Sequence, residues 1–299
     1  MSCPVHKWVP VLALLLAGFP AFGAENGHPL SMWQIDGVSN SIYLLGSIHM
    51  LREKDHPIPS AIYDAYSQAE ALIMEIDMDD IDPVADQAIA TDLGLIQDGR
   101  ALPDLMGPEL YAEAESLAEA LQIPLRLLDK SEPWYAAINV EMMMLMRIGF
   151  NPTHGIEFHL AEIASRDHKE IFGLETTRQQ LEILDTLSLP SQRDLLIQTL
   201  SDSAELSQVM DDMVDAWRYG DIEFLEKSLL ADMQEFDELH QAIVVDRNRN
   251  WVVRIEDLLR EKDDYLIIVG ALHLVGDQGV PNLLSQRGHK VTQLYQPAN

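Results

Sequence analysis

The sequence predicts an α/β fold: a mixed, largely parallel sheet with flanking helices and a long helical insertion. Three observations point to it. Short apolar runs suited to buried strands stand near both ends of the chain, at residues 42–45, 71–74 and 265–269. In Tyr265-Leu266-Ile267-Ile268-Val269 both alternations are apolar, as a strand covered on two faces requires. Between these groups, from Thr176 to about Glu261, helical periodicity recurs with breaks near Pro190 and Gly220.

The elements follow in order. Residues 1–24 hold His6 and Lys7, then the apolar run Val9 to Phe19, then Ala21-Phe22-Gly23-Ala24, which is the pattern of a cleaved secretory signal peptide. The run is shorter than the roughly 20 residues that cross a bilayer. Cys3, the one cysteine, lies ahead of it, so the expected mature chain has no disulfide and depends on its core. The expectation is an exported protein, periplasmic or secreted, with no stable membrane insertion after signal cleavage.

Residues 25–299 read as a single domain, because no low-complexity linker divides them, with the helical insertion at about 176–261. Met32 to Ile35 and Ile42 to Leu45 flank the turn residues Asp36-Gly37 and Ser39-Asn40, a hairpin signature. Pro57 to Ala69 carries a helical apolar stripe, and Ala71 to Met74 is a buried strand. Helices are expected at Pro108 to Leu121, Glu132 to Met146 and Gly155 to Ser165. The Met142–Met146 cluster reads as core packing rather than a cofactor box. Lys169 to Phe172 reads as a strand. A helix from Val280 to Gln286 and a strand from Lys290 to Tyr295 close the chain.

The formal net charge of −29 disfavours nucleic acid and anionic lipid as partners, since both need a basic surface. A peptide or a small molecule is the expected substrate.

The chemical signal is an internal echo. Ile42-Tyr43-Leu44-Leu45-Gly46-Ser47-Ile48-His49 and Leu266-Ile267-Ile268-Val269-Gly270-Ala271-Leu272-His273 are both apolar strand, glycine, two residues, histidine. Glycine permits a sharp turn or a close approach, and the histidine then stands at the carboxyl end of its strand, the edge where open α/β sheets bind ligands. Glu75 after Ala71-Leu72-Ile73-Met74 and Glu175 after Ile171-Phe172-Gly173-Leu174 repeat the logic with carboxylates. Imidazole and carboxylate together suit Zn, Mn, Fe or Co, and a glutamate free of metal can activate water. A single strand-end histidine or glutamate is ordinarily a core residue or a salt-bridge partner. The joint pattern is what suggests a shared site.

The chain resembles the TraB/GumN family, which includes the Tiki proteins. The matching features are Gly46-Ser47-Ile48-His49, Glu75, Gly155-Ile156-Glu157, Gly173-Leu174-Glu175-Thr176, Arg247-Asn248 with Trp251, and Gly270-Ala271-Leu272-His273-Leu274 with Gly276. The resemblance implies a metal-dependent hydrolase scaffold acting on peptide or amide bonds. His49, Glu75 and His273 would be metal ligands, for Zn, Mn or Co, and Glu175 a general base, although the two glutamates are interchangeable at this level. Arg247 and Asn248 join Glu175 as catalytic candidates. Arg247 suits a substrate carboxylate or an oxyanion, or else is a buried arginine paired with an acidic residue. Tyr135 reads as aromatic core. His28, His56, His154, His159, His168, His240 and His289 lack strand-end context and read as ordinary residues. The competing readings are a haem- or peptide-binding envelope protein and an envelope component with a vestigial site. Haem titration and a Glu175→Gln variant separate them.

Overall fold

A computed structural model describes residues 27–201, 206–230 and 236–298. The expected signal peptide lies outside the described residues.

Six strands form one sheet in the order β4-β3-β5-β2-β1-β6. They are β1 (His28–Asp36), β2 (Ser41–Ser47), β3 (Ala71–Ile76), β4 (Ile171–Glu175), β5 (Tyr265–Gly270) and β6 (Val291–Gln296). β4, β3, β5 and β2 run parallel. The β1–β2 hairpin and the edge strand β6 add antiparallel pairs. The mixed, largely parallel sheet and the hairpin are as the sequence predicts.

Alternation explains the layers. Ile42, Leu44, Ile73, Ile267 and Val269 face one side, where Trp251, Val252, Ile255 and Leu258 of α12 (Asp246–Leu258) and Val280 and Leu284 of α13 (Val280–Gln286) cover them. Tyr43, Leu45, Leu72, Met74, Leu266 and Ile268 face the other. There they meet α1 (Ser60–Gln68), α6 (Ile156–Asp167), α9 (Leu206–Tyr219) and α10 (Ile222–Leu230). The parallel strands are apolar on both alternations because helices cover both faces.

A separate apolar cluster joins α3 (Leu102–Met106), α4 (Pro108–Ala120), α5 (Pro133–Arg147) and α8 (Leu189–Ser201). The remaining helices are α2 (Pro83–Gly94), α7 (Thr177–Asp185) and α11 (Asp237–His240), the last running through a π-helical turn at Gln241–Val245 into α12. Among the described residues no helix is long and apolar enough to cross a membrane.

Two boundaries differ from the sequence reading. The strand expected at Lys169 to Phe172 begins at Ile171. His168 ends α6 in the left-handed conformation (φ 58°), and the Lys169 ammonium bonds the Tyr66 and Ala69 carbonyls, so this pair connects rather than pairs. α2 has no counterpart in the reading. Its start is set by Asp82, which accepts from the N–H groups of Val84 and Ala85, with Pro83 in the first turn.

Candidate functional site

The parallel strands deliver all four predicted strand-end residues to one edge of the sheet. Glu175 ends β4 and Glu75 is the penultimate residue of β3. β5 ends at Gly270 and passes into a 3-10 turn, Ala271–Leu274, that carries His273. β2 ends at Ser47, two residues before His49. Gly270 explains the close approach. A Cβ there would lie 3.2 Å from His49 Nε2 and 3.4 Å from Glu75 Oε1. Its N–H donates to Glu75 Oε1 at 2.7 Å.

Arg247, near the start of α12, is the hub. Its Nε donates to both Glu175 oxygens at 3.0 Å, and Nη2 donates to Glu175 Oε2 at 2.8 Å and Glu75 Oε2 at 2.5 Å. Its guanidinium stacks on Trp251 one turn along, 4.6 Å from the ring centroid. The indole N–H of Trp251 donates to Glu175 Oε1 at 3.0 Å. Glu175 is thus saturated by donors and serves to hold Arg247. Glu75 also accepts from Gln180 of α7 at 3.0 Å. Burial alone would raise the Glu75 carboxyl. The neighbouring His273, His49, Arg247 and the Gly270 N–H outweigh it and bring it to about 2.

Asn248 fixes His273. Its amide donates to the His273 and Gln278 carbonyls at 3.1 and 2.8 Å, so its oxygen must be the acceptor facing His273 Nδ1 at 2.7 Å. Nδ1 therefore carries the proton, and the lone pair of Nε2 accepts from Arg247 Nη1 at 3.0 Å. His273 is 3 % exposed. Burial first, then the charges of Arg247 and His49, depress it to about 3, so it stays neutral.

His49 is the opposite case. Its side chain is 63 % open to solvent. Nδ1–H donates to Glu157 Oε1 at 2.7 Å, and Ser47 Oγ donates to the same oxygen. The Glu157 charge lifts His49 to about 10 against the cost of burial. Glu157 is placed by Gly155, where a Cβ would collide with the His49 carbonyl, and by the start of α6. A cleft of about 480 Å3 opens beside Glu175, Arg247 and Trp251, with Gln179, Asn250 and Arg254 among its lining residues.

The donor types of His49, Glu75 and His273 suit Zn, Mn or Co, but their arrangement does not fit a metal ion. The His273 lone pair and a Glu75 oxygen are both taken by a guanidinium, whose charge repels a dication. His49 favours its cationic form. Among the described residues, no group of three or more His, Cys, Asp or Glu is placed to hold a metal.

Sequence reasoning missed two participants. Glu157 was visible only as part of a Gly-Ile-Glu motif, and Gln180 carried no signal beyond its helical phase. Tyr135 packs its ring against Gly94, as aromatic core should. In the methionine cluster Met144 is buried, but Met142 and Met146 are exposed. His56 and His159, read as ordinary residues, meet edge to face at 4.9 Å, with His154 next to them.

A family profile, that of the TraB/PrgY/gumN family, matches residues 31–293. The chain is 25 % identical over 245 residues to the uncharacterized protein YbaP of Escherichia coli (strain K12), covering 81 % of this chain and 87 % of that one. It is 26 % identical over 153 residues to an uncharacterized protein of Treponema pallidum (strain Nichols), covering 51 % and 45 %. No solved structure matches. Because the profile spans most of the chain, the chain belongs to the TraB/PrgY/gumN family.

Proposed function

We propose that this chain is an exported hydrolase of amide or ester bonds, peptide amides being the class its family resemblance implies, and that its own side chains perform the acid–base chemistry. One observation carries the reading: two histidines at the same edge have opposite partners, His49 bonded to the Glu157 carboxylate at 2.7 Å and buried His273 facing the Arg247 guanidinium at 3.0 Å, which favour the cationic and the neutral ring respectively. Divergent titration of neighbouring groups is how a site assigns acid and base at one pH.

In this reading His273 is the base. Asn248 fixes the proton on Nδ1, and once Arg247 Nη1 moves from Nε2 to the substrate carbonyl oxygen the freed lone pair and Glu75 Oε1, 4.0 Å from Nε2, can share one water. His273 takes a proton from that water as its oxygen attacks the substrate carbonyl carbon. Arg247 shifts a donor from His273 to the developing oxyanion. The His49 imidazolium, backed by Glu157, donates its Nε2 proton to the leaving nitrogen or oxygen. Glu175 and Trp251 keep Arg247 in place. Export is supported by the pattern of residues 1–24.

The Zn, Mn or Co ion implied by the family resemblance has no step in this scheme. Binding it would require Arg247 to withdraw from His273 and Glu75.

The test is turnover of activated esters and of peptide amides by purified protein, with His49→Ala and His273→Asn. Removal of either acid–base group should cost about 10²–10⁴-fold. Turnover that survives both substitutions would overturn the assignment.

A further inference from the structure

The cleft beside Arg247 holds a cation that the acid–base chemistry does not use. Arg247, Asn250, Trp251 and Arg254 share one face of α12, three, four and seven residues apart, and all four line the cleft. Arg254 is exposed. Among the described residues it is the one arginine whose side chain makes no hydrogen bond and no ion pair. It stays unpaired in a chain with 49 acidic and 20 basic residues, where carboxylates are plentiful. The carboxylates of α12 all have other partners. Asp246 accepts from Gln241, Glu256 from Arg287 and His289, and Asp257 from Arg260.

The rest of the lining suits an anion carried on an apolar stem. Its two carboxylates are engaged, Glu175 by Arg247 and Trp251 and Asp246 by Gln241. The Asn250 amide makes no hydrogen bond among the described residues, so it is a spare donor one turn from Arg254. The Gln179 oxygen caps the start of α7 and leaves the amide nitrogen of the same side chain as a second donor. Leu174 and Ile183 add half-buried apolar surface. The sheet order fixes which part of a substrate lies here. His49, the donor to the leaving atom, follows β2, and Glu175 ends β4, with β3 and β5 between them. At about 4.8 Å per strand that is roughly 14 Å. The cleft is therefore on the acyl side of the bond to be cleaved.

We propose that Arg254 is a specificity residue, whose guanidinium receives a carboxylate on the acyl portion of the substrate, with the Asn250 amide beside it. This deepens the hydrolase reading and rests on it for the direction of the substrate. The seven residues from Arg247 to Arg254 rise about 10 Å along the helix, and an extended peptide covers about 3.4 Å per residue. A peptide with an acidic side chain two or three residues before the cleaved bond has the required chemistry. A peptide whose acyl portion is neutral does not.

Binding tests this without turnover. Fluorescence anisotropy at about 0.15 M salt is measured with a dansylated pentapeptide amide that has a single glutamate, and with the same peptide carrying glutamine in its place. The wild-type chain is expected to bind the glutamate peptide about three- to ten-fold more tightly, as an arginine–carboxylate pair at an open site provides. Arg254→Gln should erase the preference and Arg254→Lys should keep part of it. Arg260→Gln, which removes the same charge outside the lining, should leave it whole. Equal binding of the two peptides by the wild type, no binding of either, or a preference that survives Arg254→Gln overturns the proposal. Turnover of the same peptides separates the two readings. Cleavage of both at equal KM would refute carboxylate recognition alone. A glutamate preference lost in Arg254→Gln, with neither peptide cleaved, would refute the hydrolase reading and leave carboxylate recognition standing.

Discussion

Replacing Arg247 by methionine is the most informative perturbation of the fold around this site. The substitution keeps the length of the stem but removes the cation shared by Glu75 and Glu175, whose side chains are 11 % and 13 % exposed. At about 4 Å between charge centres and an effective dielectric of about 20, each pair is worth about 4 kcal/mol before desolvation. Removing one partner from a buried pair leaves a net loss of about 3–5 kcal/mol. The sign of the pH dependence follows from Glu75. Its folded pKa of about 2 lies below the ordinary 4.5, so its contribution is present above 4.5 and is lost as the pH falls toward 2. The variant lacks much of that contribution from the outset. The difference between wild type and variant should therefore be largest at pH 7–8 and shrink at pH 4. Urea unfolding followed by circular dichroism at both values measures it. A difference under about 1 kcal/mol, or one that is equal at pH 4 and pH 8, refutes the role of Arg247 as the charge hub. Adding Glu75→Gln and Glu175→Gln to the variant should recover part of the loss, because no unpaired charge then remains.

Other outcomes are expected. Gly270→Ala should fold normally, since Gly270 has an ordinary φ of −51°, yet lose most activity, because the methyl enters the space between His49 Nε2 and Glu75 Oε1. Comparing thermal unfolding with turnover checks this. Asn248→Ala orphans the His273 N–H and two carbonyls in a fully buried position, costing about 1–3 kcal/mol for each group that water cannot reach. Unfolding in urea reads the loss. Extended dialysis against a chelator should leave turnover and Tm unchanged, and Zn, Mn or Co added back should not raise Tm. A metal-dependent Tm would instead restore His49, Glu75 and His273 as ligands.

How much was legible in the sequence follows from physical range. The parallel strands could be read because β3 and β5 are apolar on both alternations, and the echo of His49 and His273 could be read because Gly46 and Gly270 end equivalent strands. Both are local patterns. The partners of these residues are not local. Arg247 reaches Glu75 across 172 residues and His49 meets Glu157 across 108. Nothing in a linear pattern separates a guanidinium that binds substrate from one that fills the space between two carboxylates. The family motifs located Arg247, Asn248 and Trp251 but not their direction, which depends on the phase of α12 after the π-helical turn.

The central claim is that a single site holds two histidines in opposite protonation states. Nitrogen-15 NMR of imidazole-labelled protein at pH 7 tests it most directly, with His49→Ala and His273→Asn assigning the signals. His49 should show two protonated nitrogens and His273 a neutral ring with the proton on Nδ1. In Glu157→Gln, His49 should move back toward 6.5, the ordinary value from which Glu157 raises it. A neutral His49 in the wild type, or a protonated Nε2 on His273, would contradict it.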